Sequence, residues 1–484
     1  MTKDKVKRIN VMLIGVGPHA QKVYVPWLAK NRETHNLDLR LAVELKAQTT
    51  KTKQTFEKYG LTPEVFFIDP LTRDQIDDEL GKELDALVAK NQINAVIIAT
   101  EPSTHKPFAL WALRNDLHIL MDKPISTVPN ASNDPQAARK ILEDYYELNK
   151  VYLEKQHQNK NLLFSVNVQR RYHPGFGIVL EKLAEVSQST NCPVTSIQSS
   201  HGDGQWRTPD EIVDIAYHGF TNGYGKVSHS GYHFFDIIGQ FLKFGTPVSK
   251  RPDSMEVFTT FSKPSDYIHQ FNLDDYNRAF GEGFAPKYTT NEFLQLTKNF
   301  GEIDSHSLMR FFQDKATMTT VELSLLHNSL SQRAWVQAHE DLYKGNGRVK
   351  HEYHNVQQGP FQSIQIHSYQ SKDEHENNTN DDYAIGGNNH FDVYVFRNTR
   401  MVDGKQFERF SIDELLGDGD TSELLTTITK GEVLVEFFEH IHGTWDKPLR
   451  SGLNDQWLGV TIMSSAYLAG AQGNIIRREV SYEG

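Results

Sequence analysis

The first 170 residues alternate between continuous apolar runs and longer segments with helical spacing of apolar positions. A short, continuous apolar run is typical of a strand that is buried on both faces of a sheet. The predicted strands are 9–17, 39–44, 94–100, 118–124 and 161–171. Strands that alternate with helices form parallel sheets with crossover helices. The pattern therefore predicts an α/β domain with a doubly wound parallel sheet over residues 1–170.

Beyond about residue 170 the apolar positions alternate with polar ones. This period of two predicts strands with one packed and one exposed face, as in antiparallel sheets. The predicted strands are 195–201, 317–327, 348–354, 361–370 and 390–397. We therefore expect residues 171–484 to form a C-terminal α+β domain with a large, mostly antiparallel sheet. Within it, the polar, Gly/Asn-rich stretch 371–389 predicts a surface loop, and 454–474 predicts a buried helix.

Composition and charge narrow the class of protein. A chain of 484 residues with 38% hydrophobic and 23% charged residues fits a globular protein of two domains. The net charge of −11, without a strong basic block, argues against nucleic acid and anionic membrane surfaces as partners. Cys192 is the single cysteine, so no internal disulfide can form. Together with the lack of a signal-peptide pattern or a membrane-length apolar run, this predicts a cytoplasmic protein.

The loop after the first strand has the pattern G-x-G-x-x-A, with Gly15, Gly17 and Ala20 at the defined positions. In this pattern the first glycine permits a tight turn, and the second lets the backbone approach a pyrophosphate. The small third residue lets helix pack on strand, and the helix N-terminus attracts the phosphates. The loop, which also contains Pro18 and His19, therefore predicts a dinucleotide site on a Rossmann-type sheet.

The second strand ends at Glu44, which bears on the choice of dinucleotide. A carboxylate at this position can accept hydrogen bonds from the ribose hydroxyls and would repel a 2′-phosphate. The sequence therefore favours NAD over NADP, although the neighbouring Lys46 keeps NADP possible. The alternative is a solvated carboxylate at a strand end.

The run 100–127, TEPSTHKPFALWALRNDLHILMDKPIST, places Lys123 at the carboxyl end of a strand. Ligands of open α/β sheets bind outside these strand ends, so Lys123 can reach both a nicotinamide and a substrate. Here the chain resembles the glucose–fructose oxidoreductase/inositol dehydrogenase/MocA (Gfo/Idh/MocA) family. In that family the glycine loop is followed by TPN-x-x-H and then by ALEAGKHVLVEKP. The counterparts in this chain are TEPSTH and ALRNDLHILMDKP.

A later segment extends the resemblance. The family element GG-x-L-x-D-x-G-x-H-x-x-D aligns with GKVSHSGYHFFD at Gly225, Gly231, His233 and Asp236. The motifs cover residues 11–127 well and residues 165–240 more thinly.

The resemblance implies an NAD(P)-dependent oxidoreductase that acts on a hydroxyl or carbonyl carbon of a sugar, cyclitol or related polyol. It implies Lys123 and His233 as catalytic groups that also contact the substrate, with His229 beside them. It also implies a homo-oligomer that associates through the C-terminal sheet. The residues expected on the cofactor side are Thr100, His105, Asp122 and Lys123.

Three positions depart from the family pattern. Asp122 stands where the family has glutamate, and Pro102 stands in the place of an asparagine. His229 occupies a position that is usually aspartate, which changes the charge beside the acid/base group. The last departure puts the usual substrate class in doubt.

The segment GYHFFDIIGQFLKFG predicts a helix with Ser228 or Ser230 as its N-cap. His233 would then lie in the first turn, where the helix dipole disfavours the imidazolium form. A neutral imidazole can accept a proton, as the oxidation of an alcohol requires. His229 would precede the helix and contact either a substrate hydroxyl or His233.

Arg171 and Trp206 are further candidate substrate contacts, as a charged group at the rim and as a stacking platform for a sugar. A solvated arginine and a packed loop tryptophan are the structural alternatives.

Two other functions remain open. The first is a catalytically inactive, nucleotide-binding regulator with the same fold. The second is a metal-dependent hydrolase or lyase built on His229, His233 and Asp236, although the segment lacks the glutamate of H-E-x-x-H. We expect no metal site.

Overall fold

The computed structural model describes residues 8–71, 74–158, 161–215, 219–281, 286–333, 347–371, 390–416 and 425–482. The strands are β1 (Ile9–Ile14), β2 (Leu37–Leu45), β3 (Glu64–Ile68), β4 (Ala95–Ile98), β5 (His118–Asp122), β6 (Phe164–Asn167), β7 (Ser196–Gly202), β8 (Ser254–Ser262), β9 (Asp304–Gln313), β10 (Ala316–Leu326), β11 (Val349–Gln358), β12 (Gln362–Ser371), β13 (His390–Arg397), β14 (Phe407–Ser411) and β15 (Ile476–Glu479).

The α-helices alternate with the strands in the first half and cluster around the second sheet in the other. They are α1 (Pro18–Lys22), α2 (Tyr24–Asn31), α3 (Thr49–Lys58), α4 (Asp78–Asn91), α5 (His105–Arg114), α6 (Pro135–Gln158), α7 (Pro174–Thr190), α8 (Pro209–Asp214), α9 (Tyr232–Gly245), α10 (Pro264–Gln270), α11 (Leu273–Phe280), α12 (Thr290–Thr297), α13 (Ile412–Leu416), α14 (Leu425–His442) and α15 (Trp457–Gln472).

The first six strands form sheet A, in the order β3-β2-β1-β4-β5-β6. Every neighbouring pair is parallel. This is the strand order of a doubly wound Rossmann sheet, so the predicted N-terminal fold is confirmed. Strand β3, EVFFI, was not predicted, because an apolar run of four residues is too short for its periodicity to identify a strand.

The other nine strands form sheet B, in the order β14-β13-β12-β11-β7-β10-β9-β8-β15. Only the pair β7–β10 is parallel, which confirms the predicted mostly antiparallel sheet. Strands β8, β9, β14 and β15 were not predicted. In β9 the buried face includes Ser305 and Ser307 while the exposed face includes Leu308, so the expected polar alternation is obscured.

The two sheets share a continuous core, which α9 and α15 fill together with α5 and α6. The predicted buried helix 454–474 is confirmed as α15, whereas the predicted loop 371–389 lies, beyond Ser371, outside the described residues. The other face of sheet A is covered by α14, whose Val433 and Phe437 pack with Val11. The predicted boundary at residue 170 falls between β6 and β7, but α14 returns to the first domain.

A buried ion pair fixes α9 to the end of sheet A. Arg171, in the 3-10 turn after β6, directs Nη2 to Oδ1 of Asp236 at 2.6 Å, and its Nε lies within 3.1 Å of both carboxylate oxygens. The guanidinium also donates to the carbonyl groups of Arg450 and Asp455. Both side chains of the pair are almost fully buried. Arg171 therefore serves the fold in place of the predicted substrate contact.

Removing one partner of this pair should destabilise the protein strongly. Arg171→Met leaves the Asp236 carboxylate buried without compensation, and we expect the free energy of unfolding to fall by about 3–5 kcal/mol. Urea denaturation followed by fluorescence measures the change. As a control, Arg278→Met removes an arginine from an exposed pair with Asp275 and should leave the stability nearly unchanged. Equal effects of the two substitutions would contradict this assignment.

Candidate active site

The glycine loop between β1 and α1 has the shape of a phosphate cradle. Gly15 has a φ of +90°, and a Cβ there would lie 2.6 Å from the carbonyl oxygen of Ala99, so both conformation and space require glycine. A Cβ on Gly17 would meet nothing within 4 Å. The backbone at Gly17 thus borders open space at the start of α1, where a pyrophosphate can approach.

Glu44, at the end of β2, is turned onto this loop. Its Oε2 accepts a hydrogen bond from the backbone N–H of Val16 at 2.5 Å, and its Oε1 accepts one from Leu45 at 2.7 Å. The residue is buried, so the alternative of a solvated carboxylate does not describe it. A carboxylate has about four lone-pair sites, so two remain for ribose hydroxyls. The loop and Glu44 together fit a dinucleotide with a free 2′-hydroxyl.

Asp122, at the end of β5, is held by residues of the first domain. Tyr24 donates its hydroxyl to Asp122 at 2.5 Å, and Asn167 donates to the Tyr24 oxygen at 2.7 Å. Nε2 of His19 lies 3.6 Å from the Asp122 carboxylate. Burial lowers the pKa of His19 to about 4, so its imidazole is neutral. Sequence reasoning missed Tyr24, because it lies in the apolar start of α2 and resembles an ordinary core residue.

His105 joins the ends of two strands. Its Nδ1 lies 2.8 Å from the carbonyl oxygen of Pro124, and its Nε2 lies 3.1 Å from that of Thr100. The side chain is fully buried, and burial lowers its pKa. Since both ring nitrogens face backbone carbonyls, His105 positions the strand ends rather than contacting a cofactor, in contrast to the prediction. The Thr100 hydroxyl accepts from Thr104 at 2.8 Å.

Lys123 connects the two domains. Its Nζ donates to the carbonyl oxygen of His229 at 2.5 Å, so the end of β5 is bonded to the turn that leads into α9. The residue is half-buried, and the low polarity of its surroundings lowers the pKa of the ammonium group to about 8. Lys123 is therefore present in both protonation states near neutral pH. Lys123 thus contacts the backbone of His229 and not its side chain. His229 itself is half-buried.

The start of α9 differs from the prediction. A π-helical turn, Val227–Gly231, runs directly into α9, so no side chain caps the helix. Ser228, a predicted N-cap, instead contacts the hydroxyls of Thr127 at 2.9 Å and Tyr467 at 2.7 Å. The other predicted N-cap, Ser230, also lies within the π-helical turn. His233 therefore does not lie at a free helix end, and the helix dipole does not account for its charge state.

Burial and nearby cations keep His233 neutral instead. The residue is 8% exposed, and its Nδ1 has no hydrogen-bond partner among the described residues. Burial is the largest cause of its lowered pKa, followed by the charges of Lys123, Arg170 and Lys430. The pKa of His233 thus lies well below 6.5. An unpartnered nitrogen on a buried, neutral imidazole is suited to a hydrogen bond with a ligand.

The inner face of sheet B forms the floor beneath these groups. Arg170 makes a bidentate ion pair with Glu352, with the shorter contact at 2.6 Å, and its guanidinium lies 4.5 Å from the centre of the Phe234 ring. Lys226 is fully buried and contacts Asp203 at 2.5 Å and Nδ1 of His201 at 2.9 Å. No local pattern in the sequence predicts this floor, because its residues alternate with exposed ones on separate strands.

Trp206 belongs to an aromatic cluster. Its Nε1 donates to the Tyr267 hydroxyl at 2.6 Å, and its ring stacks on Tyr276 and Phe280 with centroids 6.0 and 5.2 Å away. The Arg333 guanidinium lies 5.9 Å from the same ring. These contacts correspond to the packing interpretation rather than to the predicted sugar platform.

The described residues contain no group of three or more His, Cys, Asp or Glu side chains that could hold a metal ion. Asp236, the third ligand of the metal hypothesis, is bound to Arg171 instead. Within the same described ranges, no helix is long and apolar enough to cross a membrane.

Comparison with known proteins identifies the first domain. Residues 9–155 match a family described as "Oxidoreductase family, NAD-binding Rossmann fold". Inositol 2-dehydrogenase of Rubrobacter xylanophilus is 31% identical over 108 residues, which are 22% of this chain and 26% of the relative. The match thus spans about a quarter of that relative's length.

Solved structures extend the likeness to the whole fold. Levoglucosan dehydrogenase in complex with NADH and L-sorbose aligns with a TM-score of 0.58 and 12% identity, over 97% of this chain and 99% of the other. Aldose–aldose oxidoreductase from Caulobacter crescentus, complexed with glycerol, aligns with a TM-score of 0.54 and 12% identity, over 98% and 100%. At these identities the likeness concerns the fold alone. Residues 9–155 are therefore similar to the NAD-binding Rossmann domain of the Gfo/Idh/MocA oxidoreductases.

Proposed function

We propose that the protein is an NAD-dependent oxidoreductase that transfers a hydride to or from a hydroxyl or carbonyl carbon of a sugar, cyclitol or related polyol. The observation that carries the proposal is the bond between Lys123 and the carbonyl group of His229. It brings a lysine with a pKa near neutrality from the NAD-binding domain to the helix that carries a neutral, unpartnered His233.

The residues of the first domain would hold the cofactor. The backbone of Gly15 and Gly17 borders the pyrophosphate position, and Glu44 retains lone pairs for the ribose hydroxyls. Asp122 ends β5, and Thr100 lies two residues beyond the end of β4, which is the neighbouring strand. When bound, the nicotinamide supplies the acceptor or donor of the hydride.

Lys123 is the group best suited to move the proton. In alcohol oxidation its neutral amine accepts the proton of the substrate hydroxyl, and in carbonyl reduction its ammonium form donates a proton to the carbonyl oxygen. A pKa of about 8 supplies both forms near neutral pH. His233 was expected to carry the proton, but its pKa is too low for the imidazolium to be populated. As a neutral imidazole it can bind and orient the reacting hydroxyl.

The names of the related proteins guide the choice of substrates. One relative is an inositol dehydrogenase, and one structural neighbour is a levoglucosan dehydrogenase. Myo-inositol, levoglucosan and a panel of aldoses and polyols are therefore the first compounds to test with NAD. Turnover of any of them would exclude the alternative of an inactive nucleotide-binding regulator.

Lys123→Met should abolish most of the turnover. Loss of a positioned acid/base group costs on the order of 10²–10⁴-fold in rate, so kcat should fall by that amount while NADH still binds. Steady-state kinetics and NADH fluorescence titration measure the two properties. In the unmodified enzyme, oxidation should speed up as the pH rises toward about 8 and then level off, because the amine form is the base.

The reverse reaction provides the control for the pH dependence. Carbonyl reduction should slow as the pH rises through about 8, because the ammonium form is the acid. The variant should lose this inflection in both directions. Near-normal kcat in Lys123→Met, or an unchanged inflection, would rule out Lys123 as the proton-transferring group.

Gly17→Ala should weaken cofactor binding without affecting stability. A Cβ at position 17 meets no protein atom within 4 Å, so the added methyl group would occupy the space of the pyrophosphate. We expect the Kd for NADH to rise by about tenfold or more, a loss of roughly 1.4 kcal/mol, at an unchanged Tm. Gly177→Ala is the matched control, because its Cβ also meets nothing within 4 Å and it lies on α7. Equal NADH affinity in all three proteins would refute this placement of the cofactor.

We further propose that the protein forms a homo-oligomer through the exposed face of sheet B. That face carries large apolar side chains that are between 41% and 51% exposed, namely Phe258, Leu308, Phe396 and Phe407. They form two cross-strand pairs, Phe258 with Leu308 and Phe396 with Phe407, and exposed apolar patches of this kind favour association. Light scattering should give a mass of at least two chains, and Phe396→Glu together with Leu308→Glu should lower it. A monomeric mass for the unmodified protein at micromolar concentration would exclude the proposal.

A further inference from the structure

We propose that the substrate carries an anionic group, a carboxylate or a phosphate, and that Lys350 binds this group on the floor of the candidate active site. The inference rests on the proposed function and narrows the substrate from neutral polyols to acidic or phosphorylated ones. The observations that carry it are the position of Lys350 on sheet B and the excess of cations around it.

Lys350 lies on the inner face of β11. The strand register pairs Glu352 with His201, and both are floor residues of sheet B. Side chains two positions apart on a strand point to the same face, so Lys350 lies beside Glu352 on this floor. It is half-buried, as expected for a group that lines a cleft.

The carboxylates around the site already have partners. Glu352 pairs with Arg170 at 2.6 Å, and Asp203 pairs with Lys226 at 2.5 Å and with Arg348 at 3.2 Å. The third carboxylate, of Asp122, accepts from Tyr24.

Two lysines of the site form no ion pair with a described carboxylate. Across the described ranges, neither Lys350 nor Lys430 of α14 has a carboxylate within 4.0 Å. Lys123, the third lysine of the site, is bonded to a neutral carbonyl group. Among the residues that the structure describes, the site therefore holds more basic than acidic side chains.

Burial and the surrounding charges both act on the lysines of the site. Burial, and then the charges of Arg348, Lys430 and Arg170, lower the pKa of Lys350 to about 7. Lys430 also lowers the pKa values of Lys123 and His233. Cations that are crowded in a cleft of low polarity are costly, and an anionic ligand would offset both their repulsion and their loss of hydration.

The cofactor does not supply this anion to Lys350. Its pyrophosphate belongs at the glycine loop of sheet A, whereas Lys350 is part of sheet B. The charge of Lys430 lowers the pKa of His19 in the glycine loop as well as that of Lys350. Lys430 can therefore bind either the cofactor or a substrate anion. Lys350 is therefore the residue that distinguishes a substrate anion from the cofactor phosphates.

The test compares a neutral sugar with its anionic forms. Calorimetric titration of the NADH-loaded protein with D-glucose, D-glucuronate and D-glucose 6-phosphate should show at least one anion binding about tenfold or more tightly than glucose, as expected for charge-assisted hydrogen bonds. The preferred anion identifies the group as carboxylate or phosphate. In Lys350→Met the ratio of affinities should fall to about one, and Lys350→Arg should restore it.

Lys150→Met is the matched control, because Lys150 is exposed on α6 and its loss changes the net charge equally. It should keep the preference for the anion. The proposal is overturned if glucose and both anions bind alike, or if the preference survives in Lys350→Met. It is also overturned if Lys350→Met loses NADH affinity, because the lysine would then bind the cofactor.

These outcomes differ from a failure of the proposed function. If the protein binds no NADH, or if no polyol, sugar or sugar acid is turned over, the oxidoreductase assignment itself fails. If NADH binds and neutral sugars are turned over without preference for the anions, the oxidoreductase assignment stands and the anionic substrate is excluded.

Discussion

The attachment of α9 to the carboxyl edge of sheet A is the constraint on which the candidate site depends. Three contacts hold the first turns of this helical segment: the buried pair of Arg171 and Asp236, the hydroxyl contact between Ser228 and Thr127, and the bond from Lys123 to the carbonyl group of His229. Asp236 follows His233 by less than one helical turn, so the ion pair also orients the histidine. The N-terminal and C-terminal domains therefore meet in a defined geometry.

Burial decides the chemistry as well as the stability of this junction. The same loss of hydration lowers the pKa of Lys123 to about 8 and holds that of His233 well below its usual value. Two basic groups in one site thus have different charge states near neutral pH, and this separation can assign them different roles. Lys123 contacts the carbonyl group of His229, although the alignment of motifs drew attention to the side chain of that residue.

The sequence predicted the features that depend on local pattern. Continuous apolar runs identified β1 and β4, and the glycine spacing identified the loop that Gly15 requires. The predictions were wrong or incomplete where a feature depends on partners that are distant along the chain. The serine-lined β9 is covered by other elements, and the π-helical turn before α9 takes the place of the expected cap.

The predicted roles of individual side chains were wrong for the same reason, because their partners are distant along the chain. Arg171 and Trp206 have residue types that suit a ligand, but partners 65 and 61 residues away along the chain engage them. Conversely, Lys350 and Lys430 belong to no motif, and only the folding of β11 and α14 brings Lys350 near Lys430 and Lys430 near Lys123. A single sequence contains no local signal for such pairings.

The return of α14 to sheet A has a consequence for the order in which the chain matures. Val433 and Phe437 complete the core on the face of the sheet that contains Val11, more than 400 residues earlier. Domains generally fold in the order of their synthesis. Here a nascent chain that ends before α14 leaves an apolar face of its first domain uncovered, so that domain reaches its final form only after the ribosome has synthesised α14.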